Sequence, residues 1–413
     1  MQLVFGILVG LFVLMFLVTA HELGHFFAAK KNGVKVDEFG IGFPPRAIAF
    51  IKKGYKWQKL PKTNWSKSQD TLVISFNWIP IGGFCAIHGE SDSDTRPGTF
   101  GASSFWTKTK ILFGGVAANW LIAFLVFTTL AWTGMPVFLR QQFFIPNDAK
   151  FTYGDIRVAT VLEDSPASRA GFQPNDQIIA INGQNVHFTD QITAFGKTHA
   201  GETVTYTILR NQENLALTAQ LNPADSPYAL GIHMTSSQTS FRTTWSAPLV
   251  GLATTAQLTG ETFKGVGRLV WNLSSGLISQ FNFSDTTRAA GRAEIKAAGD
   301  SVTGPIGIIG VIFPAFTASG LTNLAFLTAL ISISLACMNV LPIPALDGGR
   351  WLLIALFRLK NQKLTQEIEA KIVARAWYFL FFLVILITIL DITRLFSWLV
   401  KLQKPQTVTP STL

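Results

Sequence analysis

The sequence His21-Glu22-Leu23-Gly24-His25 lies inside a stretch, Leu3 to Ala29, that holds no other ionisable side chain. A run of about 20 apolar residues predicts a transmembrane helix. Ionisable groups are costly in hydrocarbon, so a cluster of them inside a span predicts a functional site. At this spacing both imidazoles lie on one face of a helix and can share a zinc ion. The glutamate is placed to act as a base toward water beside the metal.

The composition is that of a membrane protein with a moderate soluble part. Of 413 residues, 48% are hydrophobic and 14% are charged, with a mean hydropathy of +0.33. A soluble domain carries about 25% charged residues. Four segments are apolar enough to span a bilayer: 3–29, 111–134, 321–346 and 376–398. The predicted fold class is a polytopic α-helical membrane protein with about four transmembrane helices.

The charges of the loops predict the orientation. Lys30 to Lys110 holds thirteen Lys/Arg against six Asp/Glu, and Gly348 to Arg375 holds six against two. The long middle loop, Met135 to Thr322, holds twelve against thirteen. The first and third loops are therefore expected in the cytoplasm, and the middle loop and both termini outside. Basic loops near lipid headgroups account for the net charge of +10, and nothing else supports nucleic-acid binding.

Span 3 ends with a second candidate motif, Asn339-Val340-Leu341-Pro342-Ile343-Pro344-Ala345-Leu346-Asp347-Gly348-Gly349-Arg350. Its two prolines break a helix, and irregular backbone at membrane depth is tolerated only against protein or a wet cavity. A catalytic zinc ion typically takes three protein ligands and leaves a fourth position open. His21, His25 and Asp347 complete that set, near the cytoplasmic ends of two spans that run in the same direction.

These motifs, together with Gly115-Val116-Ala117-Ala118-Asn119 in span 2, resemble the site-2 protease family, most closely its bacterial RseP-type members. The resemblance implies a zinc endopeptidase of the cell membrane that cuts single-pass membrane proteins, such as anti-sigma factors or remnant signal peptides. It implies that Glu22 is the catalytic base and that Asn339 engages the substrate or the oxyanion. Asn119 is a candidate substrate-binding residue, and its alternative role is an interhelical hydrogen bond.

The first loop contains an apolar segment, Leu72 to Glu90, that is rich in β-branched and aromatic residues. A break at Pro80 and Gly82-Gly83 predicts a strand pair or a bent strand. The family resemblance implies a membrane-associated β-hairpin that holds an extended substrate by strand addition. Gly82, Gly83 and Phe84 are the substrate-binding residues expected there.

The middle loop contains a small β-rich domain. Residues 155–222 alternate in hydrophobicity, and SPASRAGFQPNDQIIAINGQNV (165–186) resembles a bacterial PDZ domain, in one copy. Ser165-Pro166 and Gly171 predict the start and the end of a short helix. Residues 241–277 are either an amphipathic helix on the outer leaflet or a helix packed on the PDZ-like domain. The polar residues 280–300 are typical of a linker.

The predicted organisation has nine parts in chain order. They are transmembrane helix 1 (1–30), a cytoplasmic loop with the β-hairpin (31–108), transmembrane helix 2 (109–135), the extracytoplasmic PDZ-like domain (136–230), an amphipathic and linker region (231–300), transmembrane helix 3 with Asp-Gly-Gly (301–349), a cytoplasmic loop (350–376), transmembrane helix 4 (377–400) and a tail (401–413).

Two other functions remain open from the residues alone. A membrane zinc transporter or sensor would need polar groups along a path across the bilayer, and spans 2 and 4 offer little beyond Asn119, Asp391 and Arg394. A non-catalytic membrane scaffold would use the PDZ-like domain, but it would not need the base Glu22. Cleavage of a model transmembrane substrate, with and without a zinc chelator, discriminates all three.

Overall fold

A computed structural model describes residues 1–53, 56–62, 71–139, 141–236 and 239–403. The chain forms two compact units. Met1–Thr128 and Gly251–Leu413 make up the first, called the membrane unit below, and Thr129–Val250 make up the second, called the β-rich unit. Residues 404–413, most of the predicted tail, lie outside the described residues.

The membrane unit begins with a long apolar helix and a three-stranded sheet of order β2-β1-β3. Residues Glu38–Ile41 of the middle strand are paired twice, with Gly83–Ala86 and with Val73–Phe76. The two halves of β3 thus lie on opposite sides of this segment, and Gly82, whose φ of +74° favours glycine, lies between them. The predicted break in the segment is where β3 changes direction. The elements are α1 (Gln2–Lys31), β1 (Val36–Lys53), β2 (Lys56–Lys59), β3 (Val73–Ile87) and α2 (Phe105–Thr133).

The β-rich unit has a six-stranded sheet with the path β10-β9-β7-β6-β11, with β8 paired to β7, and a three-stranded sheet of order β4-β12-β5. Its elements are β4 (Met135–Pro136), β5 (Lys150–Thr152), β6 (Ile156–Val161), α3 (Pro166–Ala170), β7 (Gln177–Ile181), β8 (Gln184–Asn185), α4 (Thr189–Thr198), β9 (Thr203–Arg210), β10 (Glu213–Gln220), β11 (Ile232–Ser236) and β12 (Ser240–Arg242).

Local sequence signals explain this unit well. In β9, Val204, Tyr206 and Ile208 are buried in the core, as the two-residue period of a strand requires. Helix α3 begins after Ser165, whose hydroxyl accepts the Ser168 N–H at 3.1 Å. It ends at Gly171, whose φ of +84° is the left-handed conformation that glycine favours.

Helices make up the remainder of the membrane unit, where the polar linker expected at 280–300 is mostly helical. Ala, Glu, Lys and Arg favour helix there, and Gly276 and Gly291 permit close packing of two helices. The elements are α5 (Ala247–Gln280), α6 (Asp285–Asp300), α7 (Pro305–Gly307), a π-helical turn (Ile308–Ile312), α8 (Phe313–Ala318), α9 (Leu321–Val340), α10 (Asp347–Leu359) and α11 (Gln366–Gln403).

Four helices among the described residues are long and apolar enough to cross a membrane. They are α1, α2, α9 and the Gln366–Arg394 part of α11, in the places of the four predicted spans. Helix α9 ends at Val340 because Leu341 is extended and Pro342 cannot continue the helix. A bent pair, Asp285–Asp300 with Pro305–Ala318, meets the same criterion as one broken span, with an angle of 45°.

Candidate active site

Three side chains from two distant parts of the sequence converge in the membrane unit. His21 and His25 lie one turn apart on α1, and each is 7% exposed. Their Nε2 atoms are 3.1 Å apart. Asp347, the first residue of α10, places Oδ2 3.1 Å from the His21 Nε2 and 3.4 Å from the His25 Nε2. Among the described residues, this is the cluster whose ligand atoms stand close enough to hold a metal ion.

The hydrogen bonds around the cluster leave some of its side-chain atoms without a partner in the ranges that the structure describes. The His25 Nδ1 lies 2.8 Å from the Ile111 carbonyl oxygen, which can only accept, so Nδ1 carries a proton and the neutral ring presents the lone pair of Nε2. The Asp347 Oδ2 and the His21 Nδ1 are buried and have no hydrogen-bond partner within the described residues. Zinc ligands about 2.0–2.2 Å from a tetrahedral ion stand about 3.3–3.6 Å apart. The three separations here, 3.1, 3.1 and 3.4 Å, lie within about 0.2 Å of this range. The donor set therefore fits a cation bound between these atoms.

Asp347 reaches the histidines because α10 starts tightly against the end of α9. A Cβ added to Gly348 would lie 2.1 Å from the Val340 carbonyl oxygen, and one on Gly349 would lie 1.9 Å from that of Ile343. No side chain fits at either position. The Asp-Gly-Gly sequence is thus explained by backbone packing, which turns the carboxylate toward α1.

The crossing of α1 and α2 leaves room for the imidazoles. A Cβ on Gly24 would lie 2.1 Å from the Gly114 carbonyl oxygen, so the two helices touch through their backbones. A Cβ on Gly115 would lie 2.5 Å from the His21 Cε1 and 2.6 Å from the His25 Nε2. The glycine at the start of the predicted span-2 motif is therefore a direct neighbour of the cluster.

A cavity of about 350 Å³ surrounds the cluster, and three other predicted residues line it: Glu22, Asn119 and Asn339. Asn119 is fully buried, and neither polar atom of its side chain has a hydrogen-bond partner in the described part of the chain. The interhelical bond from the Ser332 hydroxyl goes to the backbone carbonyl of Asn119, at 2.8 Å. The side-chain amide of Asn119 thus remains available to the cavity.

Gly82, Gly83 and Phe84, the residues expected to bind substrate, are not among those that line this cavity. A Cβ on Gly82 would lie 2.9 Å from the Phe43 ring, and a Cβ on Gly83 would lie 2.9 Å from the Gly40 carbonyl oxygen. The ring of Phe84 packs in the same way over Gly40. These residues bring β3 close to β1 and α1.

The motifs assign no individual role to several residues of the cavity wall: Cys85, Ile87, Glu90, Arg350 and Trp377. For Cys85 and Ile87, the alternation of a strand that passes a helical site could have supplied the signal. Burial raises the pKa of the Cys85 thiol to about 12, so the thiol is uncharged at neutral pH.

The partners of Arg350 could not be predicted from the motif, because they lie far away in the sequence. The Nη1 of Arg350 donates to the Glu90 Oε1 at 2.8 Å, across 260 residues, and its Nε donates to the Glu369 Oε1 at 3.1 Å. Its Nη2 donates to the Glu90 backbone carbonyl. Burial alone would lower the pKa of Arg350, but the two carboxylates raise it above its usual value, so the guanidinium is charged.

Comparison with known proteins identifies the family. The profile of peptidase family M50 matches residues 9–385. A Clostridium perfringens protein with the provisional name of zinc metalloprotease is 29% identical over 382 residues, which cover 91% of this chain and 95% of that protein. The zinc metalloprotease RasP of Bacillus licheniformis is 25% identical over 456 residues, which cover 93% and 98% of the two chains.

Among the solved structures that resemble a part of the chain is the PDZ domain of an SdrC-like protein from Listeria monocytogenes, with 22% identity and a TM-score of 0.19. The match covers 21% of this chain and 93% of that domain.

The family match confirms two predictions made from the motifs. The fold class is a helical membrane protein with a β-rich insertion, and the enzyme class is a metalloprotease. Because the match extends over most of the sequence, the chain belongs to peptidase family M50, the site-2 protease family.

Proposed function

We propose that this protein is a zinc-dependent intramembrane endopeptidase that cleaves transmembrane segments of single-pass membrane proteins. The convergence of His21, His25 and Asp347 carries the proposal, because α1 is otherwise apolar between Leu3 and Ala29. A buried carboxylate 3.1–3.4 Å from two imidazole nitrogens needs positive charge beside it, and a cation bound by all three atoms supplies that charge.

Zinc is the ion that we assign to the site. Two imidazoles and a carboxylate are typical ligands of a catalytic zinc, and they leave a further position for water or substrate. A zinc ion bound there would supply Lewis acidity, which acidifies water and polarises the carbonyl of the scissile peptide. His25, fixed by its bond to the Ile111 carbonyl, is oriented for this role before any ion binds.

Glu22 is the proposed general base. It follows His21 on α1 and lines the same cavity, beside the strand residue Cys85. Its carboxylate takes a proton from the attacking water and returns it to the amine of the leaving peptide. Glu22 is next to the ligand His21 on the same helix, so the helix backbone holds the base and the ligand at a fixed distance from each other.

The two asparagines are proposed to bind the substrate. The side-chain N–H₂ group of Asn339 donates to the carbonyl oxygen as negative charge develops on it. The Asn119 amide lies in the wall of the cavity without a partner among the described residues, and it is suited to bind a peptide group of the substrate backbone. A buried polar group without a partner is costly in the free protein, so a peptide that bonds to it gains affinity.

We propose that the substrate is held as an added strand at the edge formed by β3. This strand is terminal in its sheet, and its residues Cys85 and Ile87 lie in the cavity wall. Gly82, Gly83 and Phe84 would contribute through their backbone, since their close packing fixes the position of this edge. An extended substrate exposes its peptide bonds, whereas a helical one does not.

The loop charges support a topology with both termini and the β-rich unit outside and the site near the cytoplasmic face. The lipid bilayer and single-pass membrane proteins are then the partners of this enzyme. Anti-sigma factors and remnant signal peptides are the substrate classes that we propose. The β-rich unit, assigned to the PDZ class by its sequence motif, would restrict which extracytoplasmic ends reach the site.

Glu22→Gln tests the proposal. In liposomes with a model transmembrane substrate, we expect this variant to keep its zinc and to lose cleavage by at least about 10³-fold, since the base is absent. Glu261→Gln, on the exposed part of α5, is the matched control and should cleave normally. Undiminished cleavage by Glu22→Gln, or cleavage that survives a zinc chelator, would contradict the proposed mechanism.

A further inference from the structure

We propose that Arg350 is a positioning residue of the metal centre, which holds the first turn of α10, and with it Asp347, against the wall formed by the residues after β3. This inference rests on the proposed zinc site. Arg350 itself does not act on the substrate.

The position of Arg350 in α10 is the first support. Helix α10 begins Asp347-Gly348-Gly349-Arg350, and the two glycines offer no side chain. Arg350 is therefore the first side chain after Asp347 that can fix this turn. A spacing of three residues places both on the same side of the helix. Both line the cavity around the histidines.

The contacts of the guanidinium are the second support. It donates to Glu90, after β3, and to Glu369, near the start of α11, and its centre lies 5.0 Å from the Phe100 ring. Three of its nitrogens take part, which an ammonium group could not reproduce. Arg350 thus joins α10 to two other elements of the membrane unit at the level of Asp347.

Glu369 closes the network. Its side chain is 8% exposed, and its second oxygen accepts the Asp92 N–H at 3.1 Å and the Ser91 hydroxyl at 3.4 Å. The segment after β3 is thus bound twice, once by Arg350 and once by Glu369. A buried pair of this kind adds little stability over apolar packing, but it fixes geometry. Metal affinity depends on such geometry. Removing a group that bonds directly to a ligand typically costs about 10–100-fold, and we expect a loss of this order when the turn that carries Asp347 is released.

The experiment uses the full-length protein in detergent with four variants: Arg350→Gln, Arg350→Lys, the double variant Arg350→Gln/Glu369→Gln, and Arg394→Gln. Arg394 is the matched control, since it also anchors α11, but to the carbonyl oxygens of Val302 and Gly299 and to the carboxylate of Asp300. Zinc affinity is measured by competition with a chelator. The rate of modification of Cys85 by a maleimide is measured in a Cys337→Ala background, because Cys85 reports on the cavity wall.

We expect Arg350→Gln and Arg350→Lys to lower zinc affinity about 10–100-fold and to accelerate modification of Cys85. The double variant should fold more stably than Arg350→Gln, because no buried carboxylate is left without its cation. Its zinc affinity should nevertheless stay low. Arg394→Gln should match the wild type in both measurements.

The role of Arg350 would be overturned if the double variant bound zinc with an affinity within about twofold of the wild type. That difference is well below the expected loss of about 10–100-fold. An equal loss in Arg394→Gln would overturn it as well, since the effect would then be general loosening. A wild-type protein that binds no zinc would refute the proposed function instead. The Cys85 rates would then decide the inference: an unchanged rate in Arg350→Gln rejects it, and a faster rate supports it.

Discussion

Asp347 and Asp391 are two poorly exposed carboxylates of the membrane unit, and their surroundings are opposite. Asp391, on α11, is 4% exposed and accepts the backbone N–H groups of Gly304 and Gly307, at 3.1 and 2.8 Å. It caps the helix that starts at Pro305. The Oδ2 of Asp347 faces two imidazole nitrogens and has no hydrogen-bond partner in the part of the chain that the structure describes. A structural carboxylate is satisfied by the fold, whereas one kept for a ligand is left unsatisfied.

The glycines near the two carboxylates differ in the same way. A Cβ on Gly304 would lie 2.7 Å from the Asp391 Oδ2, so glycine there lets the backbone donors approach the carboxylate. Beside the histidines, Gly115 has the opposite effect, because it leaves space and supplies no donor. Close packing at Gly304 lets the backbone satisfy Asp391, whereas Gly115 leaves space beside the imidazoles for a ligand.

Replacement of Asp347 should have the largest effect in this comparison. Asp347→Ala removes one of three ligands, and we expect zinc affinity to fall at least about 100-fold and cleavage to be lost. Metal analysis after dialysis and cleavage of a model substrate measure the two effects. Asp391→Ala is the control, and its zinc content should be that of the wild type. Full zinc occupancy in Asp347→Ala would remove this residue from the ligand set.

Gly115→Ala tests the open space beside the imidazoles. The new methyl group would lie within 2.6 Å of the His25 Nε2, and the rings must move or the helices must separate. We expect zinc affinity to fall about 10–100-fold, as for other disturbed ligand orientations. The control is Gly265→Ala on α5, where a Cβ meets no atom within 4 Å. Equal zinc affinities in these two variants would mean that the space is not needed.

The metal cluster could be predicted from sequence because its signals are local. The spacing of His21 and His25 within one helix, and an aspartate at a proline-broken helix end, need no knowledge of tertiary packing. The charges of the loops predict, in addition, that the two spans run in the same direction. That orientation predicts that the three side chains lie at the same level of the bilayer.

The remainder of the site depends on packing that no short pattern encodes. The pairing of β3 with β1 and its bend at Gly82 decide that Cys85, rather than Phe84, lines the cavity. The network of Arg350 joins residues 260 positions apart. The polar composition of α6 predicts a linker. The prediction misses the helix because polarity alone does not reveal that Gly276 and Gly291 pack together.

Asp391→Asn should affect stability and leave the metal centre unchanged. An amide oxygen accepts one N–H less strongly than a carboxylate does, and the amide NH₂ group cannot accept the other. Each hydrogen bond to a charged group contributes about 1.5–3 kcal/mol, so we expect a loss of about 2–4 kcal/mol in the free energy of unfolding. Thermal unfolding of the zinc-free protein measures it, with Asp300→Asn as the control. A drop in zinc affinity without a drop in stability would contradict the distinction drawn between the two carboxylates.

Asp148, in the β-rich unit, extends the comparison to pH and should give the smallest effect. It accepts the backbone N–H and the hydroxyl of both Thr244 and Ser246. Burial alone would raise the pKa of Asp148, but these donors hold it at about 2, below the value of about 3.9 in an unfolded chain. Its contribution is therefore complete above about pH 4 and is lost as the pH falls toward 2. The wild type should unfold at a higher temperature than Asp148→Asn at pH 6, and the difference should shrink between pH 4 and pH 2. A difference that stays constant over this range would mean that the four bonds do not depend on the charge.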